Sequence, residues 1–116
     1  MNALTAGLLS ENSDRQFETK DRTLAIFDFA IPFHIIKINK VGLVFRYVGN
    51  EQWFTNPASM DVVYDGFSLK NIPVQTVSDI RVPTDMVRIR HHYVSFKGLS
   101  PAQALQLDQF IARCVH

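Results

Sequence analysis

Two groups of basic side chains have the types and spacing to do chemistry in this sequence. Arg15, Lys20 and Arg22 precede the first strand-like run, and Arg88, Arg90 and His91 lie close together near the end. A guanidinium fork matches a phosphate or the O6/N7 edge of guanine, and a lysine adds a point charge. Recognition of an anion or a nucleotide is the chemistry on offer. The competing reading is a solvated tail and a charged outer strand face.

Other reactive constellations are missing. His91 and His92 are adjacent, and neighbours on a strand point to opposite faces, so they do not readily chelate one ion. His34 and His116 have no partners in the sequence. No P-loop, G-x-S-x-G, H-E-x-x-H or paired-cysteine zinc motif occurs. No spacing suggests a nucleophile and its base, so the chain reads as non-enzymatic, without a metal or other cofactor.

Composition narrows the partners. The chain has 116 residues, 47% of them hydrophobic, which suits one globular domain. Its formal net charge of +1 argues against bulk nucleic-acid binding, which needs many phosphate contacts. A small anionic ligand needs only a few local cations. No apolar run is long enough for a membrane span. Met1 to Ser10 lacks the basic and apolar regions of a secretory signal. The single Cys114 excludes a disulfide within the chain and fits a reducing compartment, so a cytoplasmic location is expected.

The elements that must position these groups are mostly strands. Residues 1–22 are polar enough to read as a flexible N-terminal segment, and residues 23–116 as one barrel domain with a terminal helix. Strands are expected near 23–30, 33–39, 42–48, 59–64, 67–70, 72–80 and 86–97. Leu43, Phe45 and Tyr47 share one face of the third, and its other face, with only Arg46 clearly polar, also reads as covered. Val41-Gly42 suggests a bulge or a close backbone approach, and Asp65-Gly66 a hairpin turn. Along the last strand the apolar phase slips between Ile89 and Val94, which predicts a bulge there or a change of sheet neighbour. Ser100, Pro101 and Gln103 spell a capped helix start. Leu107, Phe110, Ile111 and Cys114 then form its apolar stripe.

Three segments together are similar to the PilZ family of bacterial cyclic diguanylate receptors. They are Ile36-Lys-Ile-Asn-Lys-Val-Gly-Leu-Val-Phe-Arg-Tyr47, Ile72-Pro-Val-Gln-Thr-Val-Ser-Asp79, and Arg90 to Ile111 with Phe96, Leu99, Gln103 and Leu107. The resemblance spans about residues 15–116 and implies an all-β fold, a six-stranded antiparallel barrel with a C-terminal α-helix. Receptors of that family bind the dinucleotide through R-x-x-x-R ahead of the barrel and D/N-x-S-x-x-G on a strand. Here the second motif aligns with residues 37–42: Gly42 matches, Lys37 stands at the Asp/Asn position and Asn39 at the Ser. Arg15, Lys20 and Arg22 supply the charge of the first motif in another register.

The resemblance implies a signalling module whose ligand, cyclic diguanylate, would meet Arg15, Lys20, Arg22, Lys37, Asn39 and Gly42. The alternative is an adaptor of the same fold that binds a protein partner without the nucleotide, using a loop that carries Trp53 and Phe54.

Overall fold

A computed structural model describes residues 15–27, 31–52, 59–84 and 86–116. Within them run β1 (Phe17–Glu18), β2 (Leu24–Ile26), β3 (Pro32–Ile38), β4 (Gly42–Val48), β5 (Ser59–Tyr64), β6 (Phe67–Arg81), β7 (Ile89–Phe96) and one helix, α1 (Pro101–Cys114). Strands β2, β5, β6, β7, β4 and β3 pair in that order, all antiparallel, and β3 returns to β2. The result is the expected closed six-stranded barrel, with β1 as an added outer strand on β3. The loop with Trp53 and Phe54, and the end of the first expected strand at 28–30, lie outside the described residues. Among the described residues no helix is long and apolar enough to cross a membrane.

Alternation builds the core. Phe27, Phe33 and Phe45 meet inside with ring centroids 5.2–5.9 Å apart. Leu43, Phe45 and Tyr47 of β4 are buried, as their shared parity requires. The opposite face of β4 is open rather than covered: Arg46 and Val48 are exposed. Helix α1 packs instead over β5 and β6. Gly42 serves close approach, since a Cβ there would lie 2.2 Å from the Val94 carbonyl oxygen.

The strands curve through bulges, and these sit at positions the sequence did not suggest. The β4–β7 register is unbroken from Gly42↔Ser95 to Val48↔Ile89, so the last strand carries no slip. Its inward parity is Arg90, His92 and Val94, with His92 and Val94 fully buried. Polar side chains point inward there because a carboxylate waits for them. The shifts fall between Ile35 and Lys37 on β3, and between Thr76 and Ser78 on β6. A third lies between Met60 and Val62, opposite the turn of β6 at Asn71.

Strand β6 is thus one strand, where two at 67–70 and 72–80 were expected. Asn71 takes φ +56°, and its amide donates to Asp61 Oδ1 at 2.8 Å, which holds the kink without ending the strand. The Asp65–Gly66 hairpin is as expected, both residues having positive φ (48° and 78°).

Helix α1 starts on the full capping box: Ser100 Oγ accepts from the Gln103 amide, and Gln103 Oε1 accepts from the Ser100 amide. Its Leu107, Phe110 and Cys114 are buried on the barrel. The flexible segment expected up to residue 22 is instead in the fold over its described part. Phe17 and Glu18 pair with Ile38 and Lys37, and Thr19 bridges Val115 just beyond α1. The Lys20 amide donates to the Cys114 carbonyl.

Candidate ligand cleft on the outer barrel face

The outer face over β3 and β4 gathers His34, Lys37 and Arg46, with Lys20 beside them. The bulge on β3 turns both Ile36 and Lys37 outward, where regular alternation would bury one of them. Register then aligns a row across three strands: His34 of β3 opposite Arg46 of β4, and Arg46 opposite His91 of β7. Beside β1 this face opens into a cleft of about 330 Å³ bordered by Glu18, Lys20, Asp21, His34, Lys37 and Arg46. A second cleft of about 270 Å³, bordered by Gln16, Val44, Ile80, His91 and Tyr93, shares Ile36 and Lys37 with the first. Among the described residues Lys37 and Arg46 form no ion pair with a carboxylate.

A second bulge shapes the far wall. Between Thr19 and Thr23 the chain swings away from β3: the Thr19 amide donates to the Ile36 carbonyl, and the next ladder bond runs from the Ile35 amide to the Thr23 carbonyl. Lys20, Asp21 and Arg22 occupy the excursion, with Arg22 at φ +66°. Thr23 Oγ1 donates to the Lys20 carbonyl at 2.7 Å and closes it.

The residues proposed from sequence therefore separate. Lys20 and Lys37 border one cleft. Arg15 and Arg22 are exposed outside its lining, the Arg15 guanidinium lying 5.8 Å from the Phe17 ring. Asn39 is buried and turns the β3–β4 hairpin, its Oδ1 accepting from the Val41 and Gly42 amides at 2.8 and 2.9 Å. Its Nδ2 donates to the Arg15 carbonyl at 3.2 Å, and Gly42 has the packing role given above. Sequence reasoning missed Glu18, Asp21, His34 and Arg46. The signal available for Arg46 was its place as the lone polar residue on the outer parity of β4.

Burial, with Arg46 and then Lys37 facing it, pushes the His91 pKa below its ordinary value. The charged form of its imidazole is disfavoured by the cations it would join.

Inside the barrel lies a polar cluster that sequence spacing did not reveal. Asp79, its side chain fully buried, accepts from Arg90 Nε on Oδ1 at 2.5 Å. Its Oδ2 meets the Tyr47 hydroxyl at 2.5 Å and His92 Nδ1 at 2.7 Å. His92 Nε2 reaches Thr76 Oγ1 at 3.1 Å, and the ring stacks on Phe45 with centroids 5.0 Å apart. Burial raises the Asp79 pKa, but hydrogen bonds from Tyr47, His92 and Arg90 outweigh it and hold the carboxyl below its ordinary value. The same ion pair raises the Arg90 pKa.

A carboxylate, an imidazole and a hydroxyl in series resemble the relay that activates a nucleophile. Here Asp79 also carries Arg90 and Tyr47, and neither cleft described above borders Thr76. The cluster reads as the polar part of the core. Among the described residues no group of His, Cys, Asp and Glu is placed to hold a metal. Compared with family models, curated proteins and solved structures, the chain finds no match.

Proposed function

We propose that this barrel is a non-enzymatic signalling module of the PilZ kind and that it binds cyclic diguanylate in the cleft over β3 and β4. One observation carries the reading: Lys20, Lys37 and Arg46 converge with Glu18 and Asp21 around a single cleft on the outer face. The cations suit the phosphodiesters, and a carboxylate accepts from the N1–H and N2–H donors of guanine. Lys37 stands where the family has an acceptor, and Glu18, its direct partner across β1 and β3, supplies one beside it. Together the two clefts give a surface within the usual size of small-ligand sites.

Calorimetric titration with cyclic diguanylate tests this. Saturable binding in the micromolar range is expected, weakened about tenfold or more in Arg46→Gln or Lys37→Gln, each removing one charge-assisted contact. Both side chains are exposed, so the melting temperature should hold. No heat and no thermal shift up to millimolar nucleotide would end the proposal.

A second reading, a protein-binding adaptor, is favoured by a separate observation. Val48, Ile80, Met86 and Val87 are exposed apolar side chains around the end where β4, β6 and β7 meet. Clusters of this kind often mark partner surfaces. If nucleotide binding fails, capture of a partner that Val48→Lys and Ile80→Lys abolish would support this reading.

A further inference from the structure

We infer that His34 and His91, one on each side of Arg46, couple binding of a phosphate-bearing ligand on this face to proton uptake. The site then holds its ligand more tightly in mildly acid solution. The inference rests on the ligand reading above and adds to it a regulatory property and two contact residues.

The geometry is the row across three strands. His34 and Arg46 are direct partners on β3 and β4, and Arg46 and His91 are direct partners on β4 and β7. Like charges directly opposite on neighbouring strands destabilise a sheet. An imidazole gains its proton between about pH 5 and 8, so the row carries little repulsion while both rings are neutral. Filling it with protons places three cations side by side, with Lys37 as a fourth. An anion lying over Arg46 reverses the balance, because each added proton then meets a negative charge.

The surroundings leave this logic intact. β1 and its excursion contribute Glu18, Lys20 and Asp21, which border the first cleft together with His34 and are not in the lining that holds His91. β3 contributes His34 and Lys37, β4 contributes Arg46, and β7 contributes His91 with the Tyr93 hydroxyl. From β6 come Ser78 and Ile80, which bring no charge. Among the described residues no carboxylate borders the second cleft with His91, whereas Glu18 and Asp21 share the first cleft with His34. The lowered pKa of His91, caused first by burial and then by Arg46 and Lys37, agrees with side chains that face one another.

Linkage sets the size of the effect. A group that takes up one proton only in the complex changes affinity by up to about tenfold per pH unit between its free and bound midpoints. Affinity for cyclic diguanylate is therefore expected to be about tenfold higher at pH 5.5 than at pH 7.5.

Two probes keep the outcomes apart. The first is cyclic diguanylate, titrated at both pH values into the parent protein and into His34→Gln, His91→Gln and the double variant. The ratio of affinities should fall in each single variant and approach one in the double, with melting curves showing that the fold persists. The second is sulfate, a fixed dianion across this range, followed by NMR of the His91 imidazole. Its titration midpoint should rise by about one pH unit in sulfate relative to chloride at equal ionic strength, and not in Arg46→Gln.

If the nucleotide binds equally at both pH values, or the double variant keeps the ratio, the proton coupling is wrong and the ligand reading stands. Should sulfate move His91 while the nucleotide fails to bind at either pH, the anion row stands and the nucleotide reading falls. Failure of both probes overturns both.

Discussion

Asp79 and His92 are direct partners across β6 and β7, and their side chains meet inside the barrel with Oδ2 2.7 Å from Nδ1. A carboxylate accepts here, so the imidazole carries its proton on Nδ1. This pair anchors a charged region of the core. Asp79 answers three donors at once, and its loss would strand Arg90 as well as His92.

Asp79→Asn keeps the volume and removes the charge. It should destabilise the fold by about 3 kcal/mol, the usual range when one member of a buried ion pair is removed. For a domain of this size the melting temperature should drop by more than about 10 °C. A loss of under about 1 kcal/mol in urea denaturation would show that solvent reaches the cluster and replaces the carboxylate.

The same residue predicts an acid limb of stability. Its folded pKa lies below the ordinary 3.8, so the unfolded chain takes up the proton first as pH falls. The contribution is fully present above about pH 5 and is lost as pH drops through the ordinary value toward the folded one. Denaturation at pH 7, 4 and 2.5 should show the gap between parent and Asp79→Asn closing as the medium becomes acid. A constant gap would contradict it.

Gly42→Ala should be worse than alanine at either turn glycine. The added Cβ would meet Val94 backbone oxygen at 2.2 Å and Tyr93 Cε1 at 2.8 Å, so β4 and β7 must separate. Overpacking of this kind costs about 1–3 kcal/mol or more. At Gly66 and Gly98 the space is open and the penalty comes from positive φ alone (78° and 70°), about 1 kcal/mol. Thermal melts of the three variants should rank Gly42→Ala lowest.

Cys114 should be silent to thiol reagents until the chain opens. It is fully buried at the end of α1, on the face against the barrel, and burial pushes its pKa up to about 11. Thiolate, the reacting form, is then scarce at pH 8, about one in a thousand even before access is considered. Labelling at pH 8 should run at the rate of opening of the α1 contact and jump in denaturant. Fast labelling of native protein would mean that α1 is not seated on the barrel.

What could be read in the sequence was local. Ser100, Pro101 and Gln103 lie within four residues, so the start of α1 follows from their types alone. The Asp65–Gly66 turn and the inward set Leu43, Phe45 and Tyr47 are equally short-range. The barrel itself was legible as a succession of strands whose order resembles one family. Bulges were not. Val77 is the extra residue of β6, and it shifts the inward parity from Val74 and Thr76 to Asp79. Without that shift Asp79 would face outward and Arg90 would have no reason to turn in. The reading of Arg90 as part of an outer basic face failed for this reason.

The cleft was half legible by the same standard. Lys20 and Lys37 were found as cations near the first strands, yet their meeting depends on the β3 bulge at Ile36 and the excursion from Lys20 to Arg22. Arg46, His34 and His91 form a row only through strand register, and register between distant segments leaves no trace in spacing. Asn39 and Gly42 drew notice as motif positions, and the hairpin accounts for both.

The antiparallel clip between the two ends of the described chain has a mechanical consequence. Glu18 accepts from the His116 amide, and Lys20 donates to Cys114, so the backbone leaves the clip in both directions from the same edge. Tension applied outward at these two points would load the bonds one after another, like a zipper, rather than all together in shear. The first to part would be the bond from the His116 amide to Glu18, a residue that also walls the cleft. A ligand seated there would resist that peeling, and by reciprocity a pull on the strand would loosen the ligand. Force is thus a further variable to which this barrel could respond.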